Sequence, residues 1–213
     1  MQVLRNNYIV IIIAVLLVVS SCGKHRPLSY EISSQATAKA FLENEAEKNF
    51  YETKLKDVNF KLSYIPAEAM ALRELGDFSQ ATQATFDTLA KSYEGLLFFD
   101  MEISIDHFSE EMIHYGVAAN DEASFENRVA YYSFGMQKDI CLVLGGKDTV
   151  PCIAYHYERN YGVSPQNHFM LGFRTSRIKD AVLVYHNQLL ATGPVKFALK
   201  EQDLMYHPKI KIN

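Results

Sequence analysis

An unbroken apolar run from Tyr8 to Val19 limits where a folded body can begin. As a helix rising ~1.5 Å per residue it spans ~18 Å, well short of a hydrocarbon core ~30 Å thick. It therefore reads as the central segment of an export signal and not as a permanent transmembrane helix. Arg5 supplies the positive charge ahead of it. Residues 1–21 are then a signal peptide, and 22–35 a short tether containing Lys24, His25, Arg26 and Pro27. Residues 36–213 are long enough for a single domain with one sizeable core.

The residues just after the run are more specific. Val19-Ser20-Ser21-Cys22 resembles the bacterial lipobox, in which small residues precede a cysteine. The resemblance covers the first two dozen residues. It implies that Cys22 receives a diacylglyceryl thioether, that cleavage falls just before it, and that its new amino group is acylated. The chain would then be a lipoprotein of the cell envelope whose partner is the lipid bilayer, reached through acylated Cys22. Several acyl chains anchor stably where one binds only marginally. Gly23 stands where aspartate would mark inner-membrane retention in proteobacteria, which implies the outer membrane, with the domain in the periplasm or at the surface. The Cys-Gly-Lys start and a domain rich in Tyr, Phe and Asn are similar to lipoproteins of the Bacteroidota. An ordinary secretory signal, or an uncleaved anchor, is the alternative.

Charge narrows the function classes. Without Arg5 the processed chain carries 20 basic residues against 25 acidic ones, and no Lys/Arg-rich block appears. Nucleic-acid binding, which needs a basic footprint, is disfavoured.

Two periodicities set the fold class. Residues 34–56 carry a loose apolar stripe at helical spacing; further helices are expected over 66–75, 79–94, 108–115 and 122–134. Val58 to Ile65 and Leu96 to Ile105 instead alternate with period two, as half-buried strands do. In the latter, Leu97, Phe99, Met101, Ile103 and Ile105 share one face, while Asp100 and Glu102 lie in a solvated acidic row on the other. Strands are also expected over 138–144, 149–158, 168–174, 181–186 and 194–200, joined by tight hairpin links. The expected class is α+β: N-terminal helices packed on a mainly antiparallel sheet with C-terminal hairpins. Residues 201–213 read as a tail with room for one short edge strand.

Cys141 and Cys152 flank the hairpin turn Gly145-Gly146-Lys147-Asp148. Folding about the Gly146–Lys147 bond sets Cys141 opposite Cys152, within disulfide range, and an exported domain permits the bridge. The alternative is a pair of reduced thiols acting as small apolar groups.

The densest polar and aromatic cluster is Tyr155-His156-Tyr157-Glu158-Arg159-Asn160-Tyr161. At strand period, Tyr155 and Tyr157 share one face, His156 and Glu158 the other. His168 lies on the next strand. No nucleophile elbow, phosphate loop or metal-binding motif is present, so no cofactor and no metal are expected. Three readings are open. The first is a non-catalytic envelope module that binds a protein partner. The second is an envelope hydrolase using His156, Glu158 and His168, with Arg159 as an anion clamp. The third is an immunity or inhibitor protein with Tyr155, Tyr157 and Tyr161 at its interface.

Overall fold

The computed structural model describes residues 29–213 except 47, 77, 79–80 and 117–120. The apolar run, the lipobox, Cys22 and the tether up to Leu28 lie outside the described residues. The first described strand falls within the segment expected to be tether. Tyr30 and Ile32 alternate with exposed neighbours in strand β1 (Ser29–Ile32). β1 pairs in parallel with the last strand, β10 (Lys209–Ile212), Ser29 against Lys209. The tail thus supplies the edge strand that its composition allowed.

The architecture is α+β with a sheet-dominated body. After helix α1 (Gln35–Ala46) come β2 (Phe50–Leu55), β3 (Val58–Ile65), helices α2 (Ala67–Leu75) and α3 (Gln83–Ser92), and β4 (Leu96–Ile105). A 3₁₀ turn (Met112–His114) and helix α4 (Glu122–Ala130) come next. Helix α4 runs on through a π turn (Tyr131–Gly135) and a second 3₁₀ turn (Met136–Asp139). The rest is β5 (Ile140–Leu144), β6 (Asp148–Glu158), β7 (Asn167–Arg174), β8 (Ala181–Tyr185), β9 (Val195–Ala198) and the single-turn helix α5 (Glu201–Leu204).

Eight strands form one antiparallel sheet in the order β2-β3-β4-β7-β6-β5-β8-β9. It curls until its edges nearly meet. Side chains bridge the seam: Tyr51 Oη donates to Asp203 at 2.8 Å and accepts from the Lys200 amide at 2.9 Å, and Lys56 Nζ donates to the Ala191 carbonyl. The concave face is filled by the alternating apolar residues, among them Phe60, Leu62, Phe99, Met101, Phe169, Leu171, Leu183 and Phe197. Helices α1–α3 and β10 cover part of the convex face, where Phe41, Leu72 and Phe86 meet Ile65 and Phe98.

The structure corrects two expectations. The stretch read as the second half of a helix, 50–55, is an edge strand. Its hairpin turns through Lys56, which adopts a left-handed φ of 58°. The β5–β6 register also differs by one residue from the expected one. Gly145, Gly146 and Lys147 form a three-residue turn, so Leu144 pairs with Asp148 and Cys141 with Pro151. A slip of one reverses the face of every side chain. Cys152 points into the core, Cys141 faces the opposite way, and both thiols are free. Burial pushes the Cys152 thiol up to about 11. On native protein a thiol reagent should therefore label Cys141 faster than Cys152, with both recovered as free thiols after denaturation; a peptide map showing them joined would contradict the register.

A β-bulge interrupts β6: Cys152 pairs with Phe173 and Ala154 with Gly172, leaving Ile153 as the extra residue. Gly172 sits where backbones and an aromatic ring close in. A Cβ there would stand 2.8 Å from both Ala154 Cβ and Phe98 Cε1. We expect Gly172→Ala to cost about 1–3 kcal/mol by overpacking, measurable as a lowered midpoint in urea unfolding with an unchanged slope.

Candidate functional site

Beyond the bulge, β6 presents Tyr155 and Tyr157 to the interior and His156 and Glu158 to the convex face. This corrects the expectation of Tyr155 and Tyr157 as interface residues. The Tyr157 ring stacks on Phe169 at 4.8 Å, and Tyr155 Oη donates to the Tyr132 carbonyl. Desolvation pushes both phenols well above their ordinary range.

Arg159 and Tyr161 belong to a different assembly, at the end of the barrel. Glu111, 1% exposed, accepts from Arg159 through both oxygens (3.2 and 3.0 Å) and from Tyr157 Oη at 2.8 Å. Tyr157 Oη also lies 3.2 Å from the buried Asn167 Oδ1. Asn167 Nδ2 in turn donates to the Ile103 and Pro165 carbonyls. Burial alone would raise the Glu111 pKa, but the hydrogen bonds and charge of Arg159, with the Tyr157 hydroxyl, hold it below the ordinary range. Arg159 is thus a structural partner of a buried carboxylate, and its guanidinium also covers the Tyr161 ring, 4.6 Å from the centroid. The outward side of Tyr161 is open to solvent.

The convex face brings the remaining candidates together. Strand pairing sets Glu102 and Glu158 on either side of His168, and Asp100 and His156 on either side of Met170. His156, Glu158, His168, Asp100, Met170 and Arg73 of α2 line a concavity of about 540 Å³. Within it His168 Nδ1 lies 2.9 Å from Asp100 Oδ2. That hydrogen bond, opposed by partial burial, raises the His168 pKa above the usual histidine value; the charges of Asp100, Glu102 and Glu158 add to it. The arrangement orients an imidazole with a carboxylate and leaves both in a wet, half-exposed setting. Among the described residues no three His, Cys, Asp or Glu side chains are placed to hold a metal ion.

His156 and Glu158 lie on the strand beside that of His168, as their spacing in the sequence suggests. Asp100 departs from its reading as one member of a solvated acidic row. The alternation of β4 gives its face, but its partner, 68 residues away, carries no local signal. Arg73 has no signal either, because nothing in α2 marks it apart from an ordinary charged helix position.

A larger cleft of about 1160 Å³ opens between α3, the start of β4 and β10, with Phe86, Tyr93, Leu96 and Ile210 in its lining. Ser29, the first of the described residues, lines it too.

No family model matches the chain, and no curated protein matches it. Among solved structures it is similar to a protein of unknown function from Burkholderia pseudomallei. The two share 10% identity, with 79% of this chain and 86% of that chain covered, at a TM-score of 0.36.

The raised His168 pKa has a definite sign. Its contribution to stability is present below the unfolded-state value and is lost as pH rises through the folded-state value. NMR titration should find His168 above an ordinary histidine and returned towards it by Asp100→Asn; an unshifted His168 in the wild type would contradict the pairing.

Proposed function

We propose that this chain is a lipid-anchored protein of a bacterial cell envelope whose body binds a partner through the convex face of its sheet. The anchor rests on Val19-Ser20-Ser21-Cys22 behind an export-type apolar run. The body starts by Ser29, so a fully extended link of seven residues reaches ~25 Å from Cys22. No helix among the described residues is long and apolar enough to cross a membrane, and acylation of Cys22 supplies the attachment instead.

The observation that carries the binding half is the concavity around His168. Carboxylates, imidazoles, a guanidinium and a thioether converge on it from three adjacent strands and a helix. Such convergent polar groups in a concave surface are what recognition uses. The filled concave face leaves the convex side to do it.

A hydrolase is the second reading, favoured by one observation: the His168–Asp100 pair has the geometry of a general base and its orienting carboxylate. Under this reading His168 takes a proton from a water molecule, and Arg73 steadies a charged portion of the substrate.

Two measurements separate these ideas. Labelled palmitate should enter the wild type and not Cys22→Ala, which should leave the membrane fraction; unlabelled wild type with an unmodified mature N-terminus would end the anchor proposal. Under the binding reading, His168→Gln and Glu158→Gln should reduce co-isolation of a partner from detergent extracts, while purified envelope polymer incubated with the wild type stays intact. Release of soluble fragments that is lost in Asp100→Asn would replace binding with hydrolysis.

A further inference from the structure

Strand β3 closes its inward series Val58, Phe60 and Leu62 with Tyr64, which adds a hydroxyl to a series otherwise made of carbon. Tyr64 is 4% exposed, and its ring lies 5.8 Å from that of Phe99. A buried tyrosine ordinarily finds a partner for its hydroxyl. Among the described residues that of Tyr64 has none: burial, and after it the charge of Glu68, pushes its pKa up, with no hydrogen bond contributing. The oxygen is nevertheless not sealed off, because Tyr64 lines the cleft of about 1160 Å³.

This cleft lies at the second end of the barrel. The first end, where Val58 meets Ile105, is covered by the segment holding Met112 and Ile113. At the other, where Tyr64 meets Phe99, the inner core reaches the cleft through Tyr64, Leu97 and Leu204, and the outer core through Phe86 and Ile210. Barrel mouths with apolar walls and a few placed polar groups are common small-molecule sites, with volumes of ~300–1,000 Å³. Glu68 and His207 form a polar part of this wall, His207 Nδ1 lying 3.3 Å from Glu68 Oε1.

Tyr64 and Glu68 together define the chemistry of an occupant. A phenol with a raised pKa stays protonated and donates one hydrogen bond. It calls for an oxygen acceptor, while the carboxylate close by repels an anionic one. An uncharged carbonyl satisfies both, and the apolar walls take a hydrocarbon chain. We propose that the open end of the barrel binds an acyl ester or amide, its chain against Phe86, Leu97 and Ile210 and its carbonyl oxygen accepting from Tyr64. The site shares no lining residue with the concavity around His168 and does not depend on how that face is used.

The test takes the full-length protein in an alkyl maltoside, a detergent without a carbonyl, and a monooctanoylglycerol whose chain carries a diazirine. Adducts are located by peptide mass spectrometry, and affinities are read from competition by unlabelled monooctanoylglycerol and by octanoate. Labelling should saturate on the peptides of α3 and β10, and the ester should compete more strongly than the free acid. Tyr64→Phe, which keeps the ring, should weaken ester binding roughly three- to tenfold, the loss of one neutral hydrogen bond. Glu68→Gln should bring octanoate closer to the ester, a change that a purely structural role of Glu68 would not give. Labelling that does not saturate, or that falls only outside the cleft, overturns the proposal. So does an ester affinity unchanged in Tyr64→Phe, or octanoate competing as well as the ester in the wild type.

Discussion

One inserted residue decides which side chains this protein shows to the outside. The period-two alternation of β6 puts Val150 and Cys152 on the concave side. Without an interruption it would carry His156 and Glu158 inwards and Tyr155 and Tyr157 outwards. The bulge at Ile153 shifts the phase by one, so the two tyrosines complete the core and the histidine and glutamate join His168. Gly172 makes the bulge possible, because any side chain there would collide with Phe98 and Ala154. The core and the candidate site are thus two results of a single irregularity.

The buried Glu111 network serves the same sheet at its end. An isolated carboxylate in that position would be driven towards its neutral form. Arg159 and Tyr157 together keep it ionised, and with Asn167, which accepts from the Met112 amide, they tie β6 and β7 to the segment before α4. The cost of desolvating the pair is offset only because nearly every lone pair has a donor.

Much of this is legible in residues alone, and the failures have physical reasons. β3 alternates over Val58–Leu62 and β4 over Phe99–Ile105, so their faces can be read directly there. So can the α+β class and the split of Tyr155 and Tyr157 from His156 and Glu158. The second half of the 34–56 segment reads as helix because β2 is an edge strand with no fully buried position. Its apolar residues therefore never form the strict alternation that marks a strand packed on both neighbours. The hairpin register turns on whether two or three residues form the turn, and Gly145 and Gly146 permit either. The pairing of Asp100 with His168 depends on β4 lying beside β7, a choice of neighbour that no local pattern encodes. The helix expected over 108–115 is only a 3₁₀ turn, because Met112 and Ile113 are consumed in capping the barrel end.

The parallel ribbon of β1 and β10 has a bearing on how such a chain is made. Its two strands are the first and last of the described body, and each has the other as its sole strand partner among the described residues. Synthesis delivers one of them about 180 residues before the other. The Ser29–Ile32 strand must therefore wait, unpaired, until Lys209–Ile212 has been made. A chain truncated ahead of Lys209 is accordingly left with its first strand lacking the partner that closes the ribbon.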